Sequence, residues 1–336
     1  MNADDTTRMA VTGVGVVSPR GFGPEAADRP RAAVPEGWFD HRTELGRRGY
    51  KYLPTAAQYF LAASNRALAA GAGFTGVPPQ ERGAAVGTNS GADALHSAMD
   101  ATVMKSGAGD LSPATAPFFS INLFGSRMAM EHQLQGFNLT LTSPRVAGLE
   151  AVQTGARALR LGRASWLLAG ATEEAADPLE PGVSAAESGA VALVLESADR
   201  AAARGATVLG HISVRSGYLP PPAAGTDRGR RRLARLLDGL APEEADATPY
   251  GVTAVLDDSA VSGAVAAALG PAARHVPAGS GCLEPLLQTA GALAGGRERR
   301  PTAVVTAAAQ GGVAVCWITP AHPTDDTVAG PRHEEA

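Results

Sequence analysis

The sequence predicts an α/β fold built in layers. Three observations predict it: segments with strand character alternate with helical ones along the whole chain, several strands are continuously apolar, and the pattern repeats in two halves that meet near residue 200. A strand that is apolar at every position is covered on both faces, as in a sheet with helices above and below it.

The elements follow in order. Residues 9–19 are a buried strand of small residues running into a turn, and 20–49, rich in Pro and Arg, read as loop. A helix over 55–70 shares one face among Ala56, Tyr59, Phe60, Ala63, Ala67 and Leu68. A short strand over 84–88 enters a glycine turn, a helix covers 92–104, and a loop passes through Pro113 and Pro117. A helix over 123–134 carries Met128 and Met130. The strand 138–142 turns at Ser143-Pro144-Arg145 into a helix over 147–161, and 165–170 is a further apolar strand. Strands are expected over 189–196 and 207–213, with a short helix 199–204 between them. The second half gives helices over 230–240, 261–269 and 286–293, and strands over 251–256, 302–306 and 313–319. The tail from 320 is polar and is expected to be disordered. The expected division is 1–200 and 201–320 for the two halves, and 321–336 for the tail.

Composition excludes several classes. The chain has 336 residues, a net charge of -4, 45% hydrophobic and 18% charged residues, so it is globular rather than disordered. Mild acidity argues against nucleic acid as a partner. The compact basic run is Arg228-Gly229-Arg230-Arg231-Arg232 with Arg235, either a solvated helix start or a docking patch for an acidic partner. Two cysteines, Cys282 and Cys316, make no disulfide framework, and no C-x-x-C or His pair at metal spacing is present. No metal and no cofactor are expected. The polar, acidic start shows no signal peptide and no run is long enough to cross a membrane, so a cytoplasmic protein is expected. Gly13-x-Gly15 with Gly21-x-Gly23 misses the dinucleotide spacing, and no acidic residue ends a following strand at the right distance.

The strand–turn–helix over 138–161 has the shape of a nucleophile elbow, which presents one side chain at a helix N-terminus where an anion is favoured. The turn is Thr142-Ser143-Pro144-Arg145-Val146-Ala147-Gly148, with no cysteine in it. Ser143 is the weak candidate nucleophile: it needs a histidine base, and His132, His211 and His275 sit in no matching motif. The alternative for Ser143 is a hydroxyl capping the helix. Cys282 reads as a small buried thiol.

The stretch from Gly136 to Gly148 resembles the active-site segment of β-ketoacyl synthases, roughly G-P-N-x-T-x-x-T-A-C-A-S-G. Further likenesses lie in the same order along the chain. Val11-Thr12-Gly13-Val14-Gly15 resembles the family's first strand, and Pro117-Phe118-Phe119 with Asn122 its segment before the elbow. Ala156 to Ala164 resembles I-R-x-G-x-A, and Leu168-Ala169-Gly170-Ala171-Thr172-Glu173 resembles L-A-G-G-x-E. Glu187 to Glu196 and Ala201 to Ala206 resemble G-E-G-A-x-x-L-V-L-E with A-x-A-R-G-A. Gln310-Gly311-Gly312-Val313 resembles the late glycine loop. The resemblance implies a thiolase-like fold of two related halves in five αβαβα layers, normally a dimer.

It also implies that the chemistry is gone. Arg145 stands where the family has its nucleophilic cysteine, and a guanidinium forms no thioester. The first histidine position falls at Leu256 or Asp257. Ser280 and Pro285 stand where the family has the lysine and second histidine of K-S-x-x-G-H. The family's P-F-D-x-x-R-D-G-F segment is missing between Ala176 and Glu187. A scaffold of this kind resembles a chain length factor, the ketosynthase-β subunit of type II polyketide synthases. The implied partners are an active ketosynthase, in a heterodimer, and an acyl carrier protein. Better-known members carry Gln at the nucleophile position, so Arg145 is a departure. Arg145 either fills vacated space and pairs with Glu284 or Asp257, or holds a malonyl carboxylate or reaches a partner subunit. Three functions stay open: a non-catalytic partner subunit that shapes a polyketide or fatty-acyl elongation tunnel, a residual malonyl decarboxylase or acyltransferase, and a homodimeric scaffold for carrier proteins.

Overall fold

A computed structural model describes residues 8–31, 34–115, 118–174, 187–237, 250–295 and 300–321. The first strand, β1 (Met9–Val17), is buried nearly throughout, and α1 (His41–Glu44) and α2 (Thr55–Ala69) follow. Next come β2 (Arg82–Gly87), α3 (Asp93–Ser106), α4 (Leu123–His132), β3 (Asn138–Leu141) and α5 (Ala147–Arg160). The first half closes with β4 (Trp166–Glu173), β5 (Gly189–Glu196) and α6 (Ala198–Ala203). The second half holds β6 (Gly210–Tyr218), α7 (Asp227–Leu237), β7 (Gly251–Leu256), α8 (Ala260–Leu269) and β8 (Arg274–Pro277), then α9 (Leu283–Leu293), β9 (Thr302–Ala307) and β10 (Gly312–Pro320).

The strands run β3-β2-β4-β5-β1-β6-β10-β9-β7-β8. Read from either outer edge, the order within a half is third, second, fourth, fifth, first. The strand directions repeat as well. The three outer strands of each half are parallel, and the two inner ones pair antiparallel. The halves join where Met9, Ala10 and Val11 pair antiparallel with Ile212, His211 and Gly210.

The layers follow from side-chain alternation along the strands. On β4, Leu167, Ala169 and Ala171 face a central core, while Trp166 and Leu168 face an outer one with Phe60, Phe124 and Met128. The central core contains α5 and α9 between strands of both halves. On the far side, α8 packs on β7 and β9 and α7 on β6, with Leu233, Val261 and Val265 in the core between. This is the five-layered thiolase-like arrangement.

The paired glycines of β1 serve packing. A Cβ on Gly15 would lie 1.9 Å from the Ala63 carbonyl oxygen, and one on Gly13 2.3 Å from that of Ala67. The alanine face of α2 therefore rests directly on the strand backbone.

Several expectations change. The 20–49 loop contains a 3-10 turn, Pro24–Asp28, and the one-turn α1. The strand expected over 207–213 runs on to Tyr218. The helix expected from 230 begins at Asp227, and residues 238–240 lie outside the described residues. The last helix begins at Leu283, so Pro285 stands inside its first turn, where its missing N–H costs no hydrogen bond. An unexpected strand is β8, which places His275 on an edge strand. Residues 1–7, 117, the segment 175–186 and the tail from 322 also lie outside the described residues. Among the described residues no helix is long and apolar enough to cross a membrane.

Candidate functional site

The parallel strands of both halves end at one place. The C-terminal ends of β2, β3, β4 and β7 deliver the loop 88–91, the turn 142–146, Glu173 and Asp257. Crevices beyond such strand ends are where open α/β sheets bind ligands. Small residues close the distance between elements here. A Cβ on Gly148 would meet Ala171, the Cys282 carbonyl oxygen and Leu286, each at 3.0 Å, so the first turns of α5 and α9 pack against each other.

The expected elbow is present. β3 hands the chain through Thr142–Val146 into α5, and Arg145 has φ 61°, left-handed for a non-glycine residue. Such a conformation costs of order 1–2 kcal/mol and is retained only where the surroundings enforce it. The Arg145 side chain turns into the molecule, and its Nε lies 3.0 Å from Asp257 Oδ2. Its Nη1 is buried and makes no hydrogen bond.

Asp257 is held from the other side. Its Oδ1 accepts from Ser262 Oγ at 2.6 Å and from the Ser259 N–H at 3.0 Å. Burial pushes its pKa up, but the Ser259 and Ser262 hydrogen bonds and the Arg145 charge outweigh that and hold it below the ordinary value. Of the two carboxylates expected for Arg145, Asp257 is the one it meets.

Glu284 is engaged elsewhere. Its Oε2 accepts from Arg20 at 2.6 Å and from Arg31 at 2.8 Å, and its Oε1 from Gln288 at 2.8 Å. Arg31 also reaches Glu187 at 3.3 Å. Burial first, then Glu284 and Glu173, push the Glu187 carboxyl up to about 7 against the pull of Arg31. Glu173 is fully buried and accepts from the Asn89 and Cys282 N–H groups on Oε1, and from the Ser90 N–H and hydroxyl on Oε2, all at 2.8 Å. It ties the loop after β2 to the start of α9.

The remaining candidates fall out of the chemistry. Ser143 caps nothing with its side chain; its carbonyl oxygen, not its hydroxyl, accepts from the Ala147 N–H at 3.1 Å, which corrects the capping expectation. His132 lies on the last turn of α4 against Phe74, which also stacks on Trp166 at the opposite end of β4 from the elbow. Pro285 is buried and offers a carbonyl oxygen, which accepts from Thr289 Oγ1 at 2.9 Å. Cys282 is buried, and burial followed by the charge of Glu173 pushes its thiol well above the ordinary value, the reverse of an activated nucleophile. Among the described residues, the elbow is closed by an ion pair and carries no cysteine and no histidine.

The family model for the β-ketoacyl synthase N-terminal domain matches residues 35–205, just over half of the chain. The chain belongs to the β-ketoacyl synthase family. Solved structures agree with the ketosynthase fold along its length. One is a type II PKS acyl-carrier protein in complex with its ketosynthase bound to the hexaketide (AntDE:AntF), matched at TM-score 0.73 and 17% identity over 94% of this chain and 100% of that one. Another is the ishigamide ketosynthase/chain length factor, at TM-score 0.72 and 23% identity over 94% and 100%. A β-ketoacyl synthase from Burkholderia phymatum STM815 follows at TM-score 0.66 and 16% identity over the same shares. No curated protein matches the sequence. Within the ketosynthase fold the sequence foresaw the elbow and, as one of two readings of Arg145, its pairing with Glu284 or Asp257; the structure shows Asp257. It missed the Arg20, Arg31, Glu187 and Glu284 cluster, whose members lie far apart in sequence and were not read together.

Proposed function

We propose that this protein is a non-catalytic ketosynthase-like subunit, of the chain length factor kind, that pairs with an active ketosynthase and shapes an elongation tunnel for a polyketide or fatty-acyl chain. The observation that carries the reading is Arg145: it occupies the left-handed elbow position and is closed onto Asp257. Decarboxylative condensation needs a thiolate and two donors for the developing negative charge. In this reading Arg145, Asp257 and Pro285 stand at the three positions that would supply them, and none can. The chain divides into a first half, 1–200, and a second, 201–320, each with the same strand order.

Pairing is supported by a bare face. Among the described residues the edge strand β3 is bonded on one side alone, to β2. The 14-residue helix α3 buries no residue, and Met104, Phe119 and Met130 are exposed nearby in sequence at 87%, 64% and 67%. His96 holds the Phe119 carbonyl oxygen at 2.9 Å. Bare edge strands and large exposed apolar groups mark surfaces that a partner covers. The two solved relatives named for a carrier protein complex and for a ketosynthase/chain length factor support an acyl carrier protein and a ketosynthase as partner classes.

The test is co-expression with the nearest encoded intact ketosynthase, read by mass and by elongation on carrier protein. The expected result is a one-to-one complex whose elongation is lost when this chain is omitted. A soluble homodimer that ignores the ketosynthase overturns the reading in favour of a scaffold, and carbon dioxide release from malonyl carrier protein by the chain alone overturns it in favour of an enzyme.

A further inference from the structure

The outer layer of the second half carries an arginine-rich helix, α7. In α7, Gly229, Leu233 and Leu236 turn inward: a Cβ on Gly229 would sit 2.0 Å from the Ala223 carbonyl oxygen, Leu233 is buried, and Leu236 packs on Gly217. Arg228, Arg230, Arg231, Arg232 and Arg235 all stand in solvent. Arg230 is bound to Asp227, the one acid on the helix. The other four arginines have no partner among the described residues. Arg228, Arg232 and Arg235 fall at i, i+4 and i+7, one line along the exposed face. The adjacent helix α8, Ala-Val-Ser-Gly-Ala-Val-Ala-Ala-Ala-Leu, carries no charge that would neutralise them. Five positive charges thus gather on eleven residues of a chain whose net charge is -4.

The geometry points to this ridge as the docking surface for an acidic protein face. Resting on the function proposed above, its occupant is the acyl carrier protein that serves the same complex. Guanidinium groups spaced about 5–6 Å apart along a helix match carboxylates spaced the same way on a facing helix, and each can hold a carboxylate bidentately. The other polyanions fit less well. The apolar side of α7 is spent on the core, so nothing remains to enter a lipid surface. The ridge is confined to one helix and has no aromatic side chain among its arginines on which bases would stack, unlike a nucleic-acid groove. The ridge lies on the outer layer, where α7 packs on α8 and β6.

The experiment uses the full chain in its complex, with the carrier protein encoded beside it as probe. Binding is measured at about 25 mM and about 300 mM salt, where screening differs several-fold in range. The triple variant Arg228→Glu, Arg232→Glu, Arg235→Glu is expected to lose about tenfold or more in affinity at low salt, chiefly through slower association, and much less at high salt. A control, Arg47→Glu with Arg48→Glu, reverses exposed arginines elsewhere and is expected to change affinity less than about twofold. Thermal melts of both variants should match the parent, since all five side chains are exposed. Tight binding by the parent that the triple variant leaves unchanged at low salt overturns the docking surface alone. An equal loss in triple variant and control overturns it too, as an effect of net charge. Absence of any carrier-protein binding by the parent overturns both this surface and the carrier-protein part of the proposed function.

Discussion

Arg145 shows how a position shaped for one chemistry constrains its replacement. Its φ of 61° penalises every residue with a Cβ, and its ion pair to Asp257 offsets the strain. Two substitutions separate these effects. Both Arg145→Ala and Arg145→Gly lose the ion pair, and both should melt lower than the parent. Glycine adopts the left-handed backbone freely, so R145G should be more stable than R145A by about 1 kcal/mol in denaturant unfolding. Equal stabilities would mean that the elbow relaxes when the guanidinium is gone. The pairing of Arg145 with a carboxylate was legible in the sequence because a buried guanidinium needs one. Which carboxylate was not, since Glu284 and Asp257 sit on different elements and their places depend on how α9 and β7 pack.

At the scale of elements, the strands and helices were read well wherever apolar periodicity spoke for them. β4 and β5 are buried at every position, and α2 buries a broad alanine and aromatic face. β8 escaped because Arg-His-Val-Pro is short, mostly exposed and ends in Pro, and it exists through pairing with β7. Its place in the repeat, as the counterpart of β3, was the one available signal. The Gly-x-Gly of β1 has a steric role, letting the backbone of α2 rest on the strand. Gly15→Val should therefore be among the most damaging single changes outside the elbow, costing about 3 kcal/mol or more, because α2 must lift off the strand. A melt within one degree of the parent would show that the helix slides at little cost.

At the scale of the whole molecule, buried charges tie distant parts together. Arg20 and Arg31, from the loop after β1, grip Glu284 on α9 in the other half, and Glu187 at the head of β5 shares Arg31. These groups give stability a pH signature of two signs. Glu284 is held below its ordinary pKa: burial raises it, but Arg20 and Arg31 outweigh burial. Its contribution is present above the unfolded carboxylate range and is lost as pH falls through its lowered value. Glu187, pushed up to about 7, does the opposite: the folded state keeps its proton while the unfolded state has lost it, so stability falls as pH rises from about 4.5 to about 7. Glu187→Gln should flatten that decline and leave the acid-side loss in place, as read by denaturant midpoints from pH ~4 to ~8. A decline that survives the substitution would assign it to another group.

The shared central layer has a consequence for synthesis. α5 is wrapped on one side by strands of the first half and on the other by β6 and β10, which are translated later. At roughly 5–20 residues per second, the remaining two-fifths of the chain takes on the order of ten seconds to emerge. Through that interval the nascent first half carries a bare apolar helix face and an inner strand, β1, whose β6 side is still open. A product cut after the first half leaves uncovered the face of α5 that β6 and β10 would cover.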